Sequence, residues 1–367
     1  MKVAISHDYL NQYGGAERVV EVLCEMFPRA PLYTLLYDKK RTFGYFKGKK
    51  IYASFLNRFQ FAKNHHRLFI PILPLVQHSL NLKNKFDLII SSSASYAKGI
   101  RRSAGLHICY CHTPIRYAWE ENYLNGYAVF KNPISKILTG PARAWLRRWD
   151  KRAAQNVDVF LANSNFIADK IKKYYAREAV ILYPPVNTNI FYRDENISQG
   201  NYYLMVGRML HYKRFDLGIE AFNKLGLPLK IIGGGPELGR LKTIAKSNIE
   251  FLPFFKDVSE LRKLYNGAKA LIFPQVEDFG LVAAEAQACG LPVIAYGEGG
   301  AKEIVIDGKT GLLFNEQTPE AIIGAVNKFQ TQSFSRETIS ASAARFSKEN
   351  FKKRFLEIIN QNINVEV

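Results

Sequence analysis

The chain has 367 residues, which favours two domains, because a single hydrophobic core rarely grows beyond about 250–300 residues. Hydrophobic residues make up 47% and charged residues 23%, without an apolar run long enough to span a bilayer, which excludes disordered and membrane-spanning proteins. The first residues, MKVAISHDYL, predict a strand rather than a signal peptide, and we therefore expect a cytoplasmic protein.

Positive charge is concentrated in the first half of the chain. Residues 1–180 hold 29 Lys and Arg against 12 Asp and Glu, whereas residues 181–367 hold 22 against 20. A field this one-sided attracts an anionic partner such as nucleic acid, an anionic lipid headgroup or a phosphate-bearing substrate. A basic surface that merely keeps the protein in solution is the alternative.

Short apolar runs alternate with amphipathic segments along the whole chain. The first half contains KVAISH, FDLIISSS, LHICYCH and VDVFLANS, and the second contains YYLMVGR, LKIIGGG, ALIFPQ and PVIAY. This alternation predicts an α/β protein with two Rossmann-like parallel-sheet domains. The consecutive prolines Pro184 and Pro185 place the boundary, giving domains at 1–183 and 184–344. A helix over about 345–367 is expected to pack back on the first domain.

Two glycine-rich turns precede predicted helices. Gly14 and Gly15 follow the first strand, and the N–H groups of such a turn can approach an anion, although an ordinary turn explains the pair equally well. A second turn, Gly233-Gly234-Gly235-Pro236, lets the backbone approach a phosphate or nucleoside. It is not GxGxxG and no acidic residue follows at the dinucleotide spacing, which disfavours a dehydrogenase.

Charged residues at strand ends indicate a diphosphate site. Arg208 follows a strand directly, and Lys213 lies five residues later at a helix start. Two cations beside helix N–H groups can neutralise a diphosphate without a metal ion, whereas the alternative is a solvated basic turn. Glu277 and Glu285 are too far apart for a glycosidase pair, and they suit two contacts on an extended ligand.

Several of these motifs together resemble the retaining glycosyltransferases of family 4, which have the GT-B fold. The motifs are VGRMLHYKRFDLGIEAF, IIGGGP, EDFGLVAAEAQACGLPVIA and GGAKEIVIDGKTGLLF. In the first half, YGGAERV, CHTPIRYAWE and VILYPPVNTNIF are similar to bacterial O-antigen and exopolysaccharide mannosyltransferases of that family. The resemblance covers nearly the whole chain, and it implies two Rossmann-like domains that face each other across a cleft.

The resemblance implies a role for individual residues. Arg208 and Lys213 would grip the donor diphosphate, Glu277 would contact the transferred sugar, Glu285 would bind the ribose, and His112 would face the donor sugar. Further donor contacts are expected from Gly14, Gly15, Gly207, Gly234, Phe254, Asp278, Phe279, Gly280 and Leu281, and acceptor contacts from Asp8, Arg116 and Tyr117.

The implied reaction is retaining transfer of a hexose to an acceptor hydroxyl. Subgroup likeness favours mannose from GDP-mannose, with a UDP-hexose as the alternative. Pro253 stands where many relatives have a glycine whose N–H reads the nucleobase, so this segment does not identify the base. No DxD-like metal site follows a suitable strand, and we expect neither a metal ion nor another cofactor.

The acceptor is expected to be a lipid-linked or polysaccharide glycan, with the enzyme serving lipopolysaccharide or exopolysaccharide biosynthesis. Residues 55–85 and 143–149 interleave apolar and basic side chains, which predicts peripheral binding to the inner face of the cytoplasmic membrane; ordinary core packing is the alternative. A nucleotide-sugar epimerase and a glycan phosphorylase share similar folds. A nucleic-acid-binding protein is disfavoured because no such motif occurs and Glu277 and Glu285 would repel phosphates, so no nucleic-acid partner is expected.

Overall fold

A computed structural model of the chain describes residues 1–80, 82, 86–102, 104–120, 133–255 and 257–363. It consists of two compact units. The first unit comprises Met1–Tyr183 together with the C-terminal residues from Lys352 onward, and the second comprises Pro184–Phe351. Each unit is built on its own parallel sheet, which confirms the predicted fold class of two Rossmann-like α/β domains.

The first unit contains a seven-stranded sheet. Its strands run parallel in the order β3-β2-β1-β4-β5-β6-β7. Strands β4 and β5 are buried along their whole length, as expected for a sheet covered by helices on both faces. The strands are β1 (Val3–Leu10), β2 (Leu32–Tyr37), β3 (Ile51–Ala53), β4 (Leu88–Ser93), β5 (Leu106–Cys111), β6 (Val159–Ala162) and β7 (Val180–Ile181).

Helices connect these strands. They are α1 (Gly15–Met26), α2 (Gln60–Asn64), α3 (Leu73–Ser79), α4 (Arg116–Trp119), α5 (Pro133–Gln155) and α6 (Asn165–Tyr175). The start of α6 is capped by the Ser164 hydroxyl, which accepts the Ile167 N–H at 3.1 Å. Short 3₁₀ turns lie at Phe55–Arg58, His66–Phe69 and Ala97–Gly99.

The second unit contains a six-stranded parallel sheet in the order β10-β9-β8-β11-β12-β13. Its strands are β8 (Tyr203–Val206), β9 (Leu229–Ile232), β10 (Ile249–Leu252), β11 (Leu271–Phe273), β12 (Val293–Tyr296) and β13 (Gly311–Phe314). Its helices are α7 (Phe215–Leu225), α8 (Leu238–Ile244), α9 (Val258–Gly267), α10 (Leu281–Ala288), α11 (Ala301–Ile304), α12 (Pro319–Gln330) and α13 (Arg336–Ala343). A 3₁₀ turn at His211–Lys213 precedes α7.

The last helix, α14 (Lys348–Ile363), is shorter than the predicted 345–367, of which residues 364–367 lie outside the described part. A 3₁₀ turn at Ala344–Phe346 precedes it. Its later turns contact the start of the chain, because Lys352 Nζ lies 2.7 Å from Glu25 Oε2 and the Phe355 ring packs edge-on against Phe27. Apolar burial of Phe355 and a half-exposed ion pair therefore attach this helix to the first unit.

A buried ion pair ties α5 to the turn after β4. Lys98 Nζ lies 2.6 Å from Asp150 Oδ1, and neither side chain is exposed to solvent. The other carboxylate oxygen of Asp150 accepts hydrogen bonds from Trp119 Nε1 and the Tyr175 hydroxyl, each at 2.7 Å. The Asp150 carboxylate thus joins α5 to the turn at Ala97–Gly99, to α4 and to α6.

Candidate functional site

In both sheets the strand order reverses next to the first strand, between β1 and β4 and between β8 and β11. Ligands of open parallel sheets bind beyond the carboxyl ends of the strands at such a reversal. Arg208 and Lys213 follow β8, and Glu277 follows β11. The structure therefore brings the three predicted charged residues to the reversal point of the second sheet.

The backbone around Arg208 is fixed by the loop that follows β9. The Gly207 N–H donates to the Ile232 carbonyl at 3.0 Å, and the Met209 N–H donates to the Gly234 carbonyl at 2.8 Å. The Arg208 side chain itself is exposed, and no carboxylate of the described chain pairs with it. A fixed backbone with a solvent-facing guanidinium is suited to capturing an anion that arrives from solution.

Lys213 and Glu277 form an ion pair across the reversal point, between the Lys213 ammonium and Glu277 Oε1. Their side chains are 17% and 16% exposed, so the pair is largely enclosed but reachable. Glu277 is anchored in turn, because its carbonyl accepts the Gly300 N–H at 2.9 Å. This carboxylate orients the ammonium that was predicted to contact phosphate.

The segment after Glu277 turns sharply into α10. Gly280 occupies the N-cap with φ of 106°, a left-handed conformation that favours glycine. Phe279 is buried against Phe346, which fixes the turn, and Asp278 and Leu281 flank it. The first N–H groups of a helix lack intrahelical acceptors, so this turn presents donors beside the ion pair.

Two residues predicted to contact the donor, Glu285 and Phe254, differ in their exposure to solvent. Glu285 is 2% exposed within α10, and its contact with the ribose stays a prediction. Phe254 follows β10, two strands away from β8, and is 68% exposed. Its role in binding the donor stays a prediction.

In the first unit, the Gly14-Gly15 turn caps α1. The Gly14 N–H donates to Glu17 Oε2 at 2.8 Å, and the helix begins at Gly15. This N–H is therefore occupied by an internal carboxylate. The donor contacts of Gly14 and Gly15 stay predictions.

His112 is half-buried and contacts a chain of buried polar groups. Its Nε2 lies 2.8 Å from the Ser92 hydroxyl, and Nδ1 of His7 lies 2.9 Å from the Ser92 carbonyl and 3.1 Å from the same hydroxyl. Because a carbonyl only accepts, His7 carries a proton on Nδ1. The Ser92 hydroxyl links this N–H to Nε2 of His112.

The other end of this chain is a carboxylate. His7 Nε2 lies 3.7 Å from Glu17 Oε1, and both side chains are buried. Burial lowers the pKa of His7, but Glu17 and Asp8 outweigh it and raise the pKa above its ordinary value. Burial and the neighbouring His7 lower the pKa of His112 to about 3, so His112 is neutral at physiological pH.

Two of the predicted acceptor residues, Asp8 and Tyr117, contact the loop after β4. Both Asp8 carboxylate oxygens are occupied, because they accept the N–H groups of residues 94–97 at 2.6–2.9 Å. The Tyr117 hydroxyl donates to the Tyr96 hydroxyl at 2.7 Å, and Arg116 lies beside it at the start of α4. Asp8 thus holds the loop in place, and its contact with an acceptor stays a prediction.

His7, Glu17 and Ser92 were not predicted as members of this network from the sequence. A signal was present, since three consecutive serines, Ser91–Ser93, end a strand that is otherwise apolar. Small polar residues in a fully buried strand need partners, and β4 pairs in register with β1, which places Ser92 opposite His7.

Two histidines with lowered pKa values, His107 and His112, predict a loss of stability in acid. Burial and Arg102 lower the pKa of His107 to about 4, and both His107 and His112 must gain a proton on unfolding below about pH 6.5. The stability that these two neutral histidines contribute is therefore complete above pH 6.5 and falls as the pH decreases toward 4. Between pH 7.5 and 5.5 each histidine should cost about 1.4 kcal/mol of unfolding free energy.

All three tryptophans lie in the first unit, so urea unfolding followed by tryptophan fluorescence reports on that unit. His107→Gln should reduce the loss of unfolding free energy between pH 7.5 and 5.5 by about 1.4 kcal/mol, the contribution of one histidine. His7 has the opposite effect on the pH dependence of stability. Because its pKa is raised in the folded protein, protonated His7 contributes stability that is lost as the pH rises above 6.5. An unchanged pH slope in His107→Gln would contradict this assignment.

None of the helices described is long and apolar enough to cross a membrane. No group of three or more His, Cys, Asp or Glu side chains in the described ranges is arranged to hold a metal ion.

Two family models match consecutive parts of the chain. The model "Glycosyltransferase Family 4" matches residues 13–190, and the model "Glycosyl transferases group 1" matches residues 188–348. The chain is therefore a glycosyltransferase with the GT-B fold and belongs to glycosyltransferase family 4. The prediction of a glycosyltransferase is confirmed against the epimerase and the nucleic-acid-binding alternatives.

Individual proteins are similar over different lengths. An alpha-1,3/1,6-mannosyltransferase of Dictyostelium discoideum is 25% identical over 394 residues, covering 89% of each chain. A GDP-mannose-dependent phosphatidylinositol monomannoside mannosyltransferase of Mycolicibacterium smegmatis is 29% identical over 205 residues, 48% of this chain and 54% of that protein. The crystal structure of Anabaena HepE in complex with UDP and glucose superposes with a TM-score of 0.71 at 16% identity, covering 98% and 99% of the two chains.

Proposed function

We propose that this enzyme transfers mannose from GDP-mannose to a hydroxyl of a lipid-linked or polysaccharide glycan, with retention of configuration and without a metal ion. The observation that carries the proposal is the grouping of Arg208 with the Lys213–Glu277 pair at the reversal point of the second sheet. Two cations at this point match the charge of a diphosphate, and the carboxylate suits a sugar hydroxyl.

In the proposed reaction the bond between the sugar and the diphosphate breaks, and a bond to the acceptor oxygen forms on the same face of the sugar. Negative charge grows on the leaving phosphate while positive charge grows on the sugar. Arg208 and Lys213 would stabilise the phosphate charge, and the leaving phosphate would take the acceptor proton. Such fixed cations act where charge develops, which lowers the barrier to departure of the nucleotide.

A panel of nucleotide sugars tests the donor. In the presence of EDTA, GDP-mannose should raise the melting temperature, because a ligand well above its Kd stabilises a protein by a few kcal/mol. Slow hydrolysis of the same donor should accompany the shift. A response to GDP-mannose only after a divalent ion is added would contradict metal independence.

A UDP-hexose is the second candidate. The structural similarity to a protein crystallised with UDP and glucose supports it, whereas two mannosyltransferase relatives support GDP-mannose. A larger thermal shift with UDP-glucose than with GDP-mannose would select this second candidate.

We also propose that the enzyme is cytoplasmic and binds the inner face of the membrane through its first unit. The stretch from Phe59 to Leu75, which contains α2 and the start of α3, exposes several large apolar side chains to solvent. They are Phe59, Phe61, Leu68, Ile72 and Leu75, each at least 42% exposed. Exposed apolar patches of this kind mark sites of protein or membrane interaction. Residues 81 and 83–85 of the predicted segment lie outside the described part.

Flotation with vesicles tests this surface. Wild-type protein should float with vesicles that contain phosphatidylglycerol at low salt, and Phe59→Ser with Phe61→Ser should reduce the floated fraction. Tyr192→Ser is the control, since Tyr192 is an aromatic residue of the second unit that is 40% exposed, against 58% for each of the two phenylalanines. Wild-type protein that does not float at low salt would remove the membrane proposal.

A further inference from the structure

A cavity of about 700 Å³ opens on the first unit between α3, α5 and the chain that runs from Gly99 to Arg102. One face of α5 lines it with Trp145, Arg148, Trp149 and Arg152, whose spacing of three, four and seven residues places them together on a helix. None of the residues that line it belongs to the candidate donor or acceptor site.

The side chains that line this cavity carry an excess of positive charge. Three exposed arginines line it, Arg101, Arg148 and Arg152, and no described carboxylate pairs with any of them. The fourth, Arg102, differs because Asp158 accepts two of its hydrogen bonds. Three unpaired guanidinium groups around one cavity repel one another, and an anionic ligand with several oxygens removes that cost.

The aromatic wall of the cavity is fixed by packing. A Cβ atom on Gly99 would lie 2.5 Å from the Trp149 ring, so this ring occupies the space that the glycine leaves. The Trp149 indole N–H donates to His78 Nε2 at 3.4 Å, and Arg101 lies 3.5 Å from the other ring nitrogen. These contacts join α3, α5 and the Gly99 turn into a preformed pocket.

Exposed apolar side chains accompany these arginines. Trp145, which lines the pocket, is 40% exposed, and Leu75, on the same helix α3 as the pocket residue His78, is 62% exposed. Tryptophan beside a basic cluster is typical of surfaces at the level of lipid headgroups. We propose that this pocket binds the phosphate headgroup of an anionic phospholipid, an inference that rests on the proposed membrane association.

Tryptophan fluorescence tests the pocket directly, because Trp145 and Trp149 line it and Trp119 is the only other tryptophan of the chain. Vesicles of brominated phosphatidylglycerol should quench the wild-type protein, and Trp145→Phe should lose most of the quenching. Each basic side chain near an anionic bilayer strengthens binding about fivefold, so Arg101→Gln with Arg148→Gln and Arg152→Gln should weaken vesicle binding roughly 100-fold.

The matched control removes the same charge elsewhere on the first unit, through Lys2→Gln with Arg29→Gln and Lys173→Gln. Equal loss of vesicle binding in both triple variants would overturn the pocket while leaving membrane association intact. A fluorescence change with inorganic phosphate, glycerol phosphate or GDP alone would also overturn it, since it would identify a soluble ligand. Donor-induced thermal shifts of the arginine triple variant should equal those of the wild type, which separates this test from the proposed catalysis.

Discussion

Replacing Arg208 by alanine should lower kcat for donor turnover by roughly 100- to 1000-fold, the typical effect of removing one group that stabilises transition-state charge. The guanidinium is exposed and its backbone is held by the loop after β9, so its removal should leave the fold unchanged. Lys213→Ala should have a similar effect and should also leave the Glu277 carboxylate without its cation. Hydrolysis of the donor selected by the nucleotide-sugar panel provides the assay.

Lys328→Ala is the control, because Lys328 is an exposed lysine on α12. Its turnover should stay within about twofold of the wild type, in line with the small effects of ordinary surface substitutions. Arg208→Lys should recover part of the lost rate, since it restores the charge but not the planar fork. Turnover of both alanine variants within a few fold of the wild type would show that these cations do not act on the leaving group.

Asp150→Ala should destabilise the first unit by about 3–5 kcal/mol, because it leaves the Lys98 ammonium buried without a counter-charge. Tyr175 and Trp119 would lose their shared acceptor at the same time. Urea unfolding followed by tryptophan fluorescence measures the effect. The double variant Lys98→Met with Asp150→Leu should recover much of the loss, since it removes both charges from the interior.

Glu178→Ala is the control for that experiment, since it breaks the exposed pair with Lys172, whose side chains are 67% and 82% exposed. No measurable change in Tm is expected, because exposed ion pairs contribute little. Wild-type stability in Asp150→Ala would contradict the role of the buried pair. A double variant less stable than the single one would contradict the electrostatic explanation.

The sequence predicted the two parallel sheets and the strand-end positions of Arg208 and Glu277, because alternating apolar and amphipathic segments are local signals. It did not predict the pairing of Lys213 with Glu277. That contact depends on β8 lying beside β11, which the order of strands along the chain does not reveal. The same holds for His7 and Ser92, which meet only through the register of β1 and β4.

The local sequence pattern also did not predict which side chains are exposed on short helices. The helices α2 and α3 have five and seven residues, too few to display a periodicity that separates exposed Phe61 and Leu75 from buried Leu73 and Val76. The role of Asp8 was missed for another reason. A carboxylate that accepts four backbone N–H groups satisfies a loop whose conformation is set by tertiary structure.

Calorimetric titration of nucleotides most directly tests the claim that Arg208 and Lys213 bind the donor diphosphate. In EDTA, the wild-type enzyme should bind GDP at least about tenfold more tightly than GMP, a difference of about 1.4 kcal/mol. Arg208→Ala and Lys213→Ala should each bind GDP little better than GMP, while affinity for GMP changes much less. If both variants keep the full preference for the diphosphate, the two cations do not hold it and the account of catalysis is wrong.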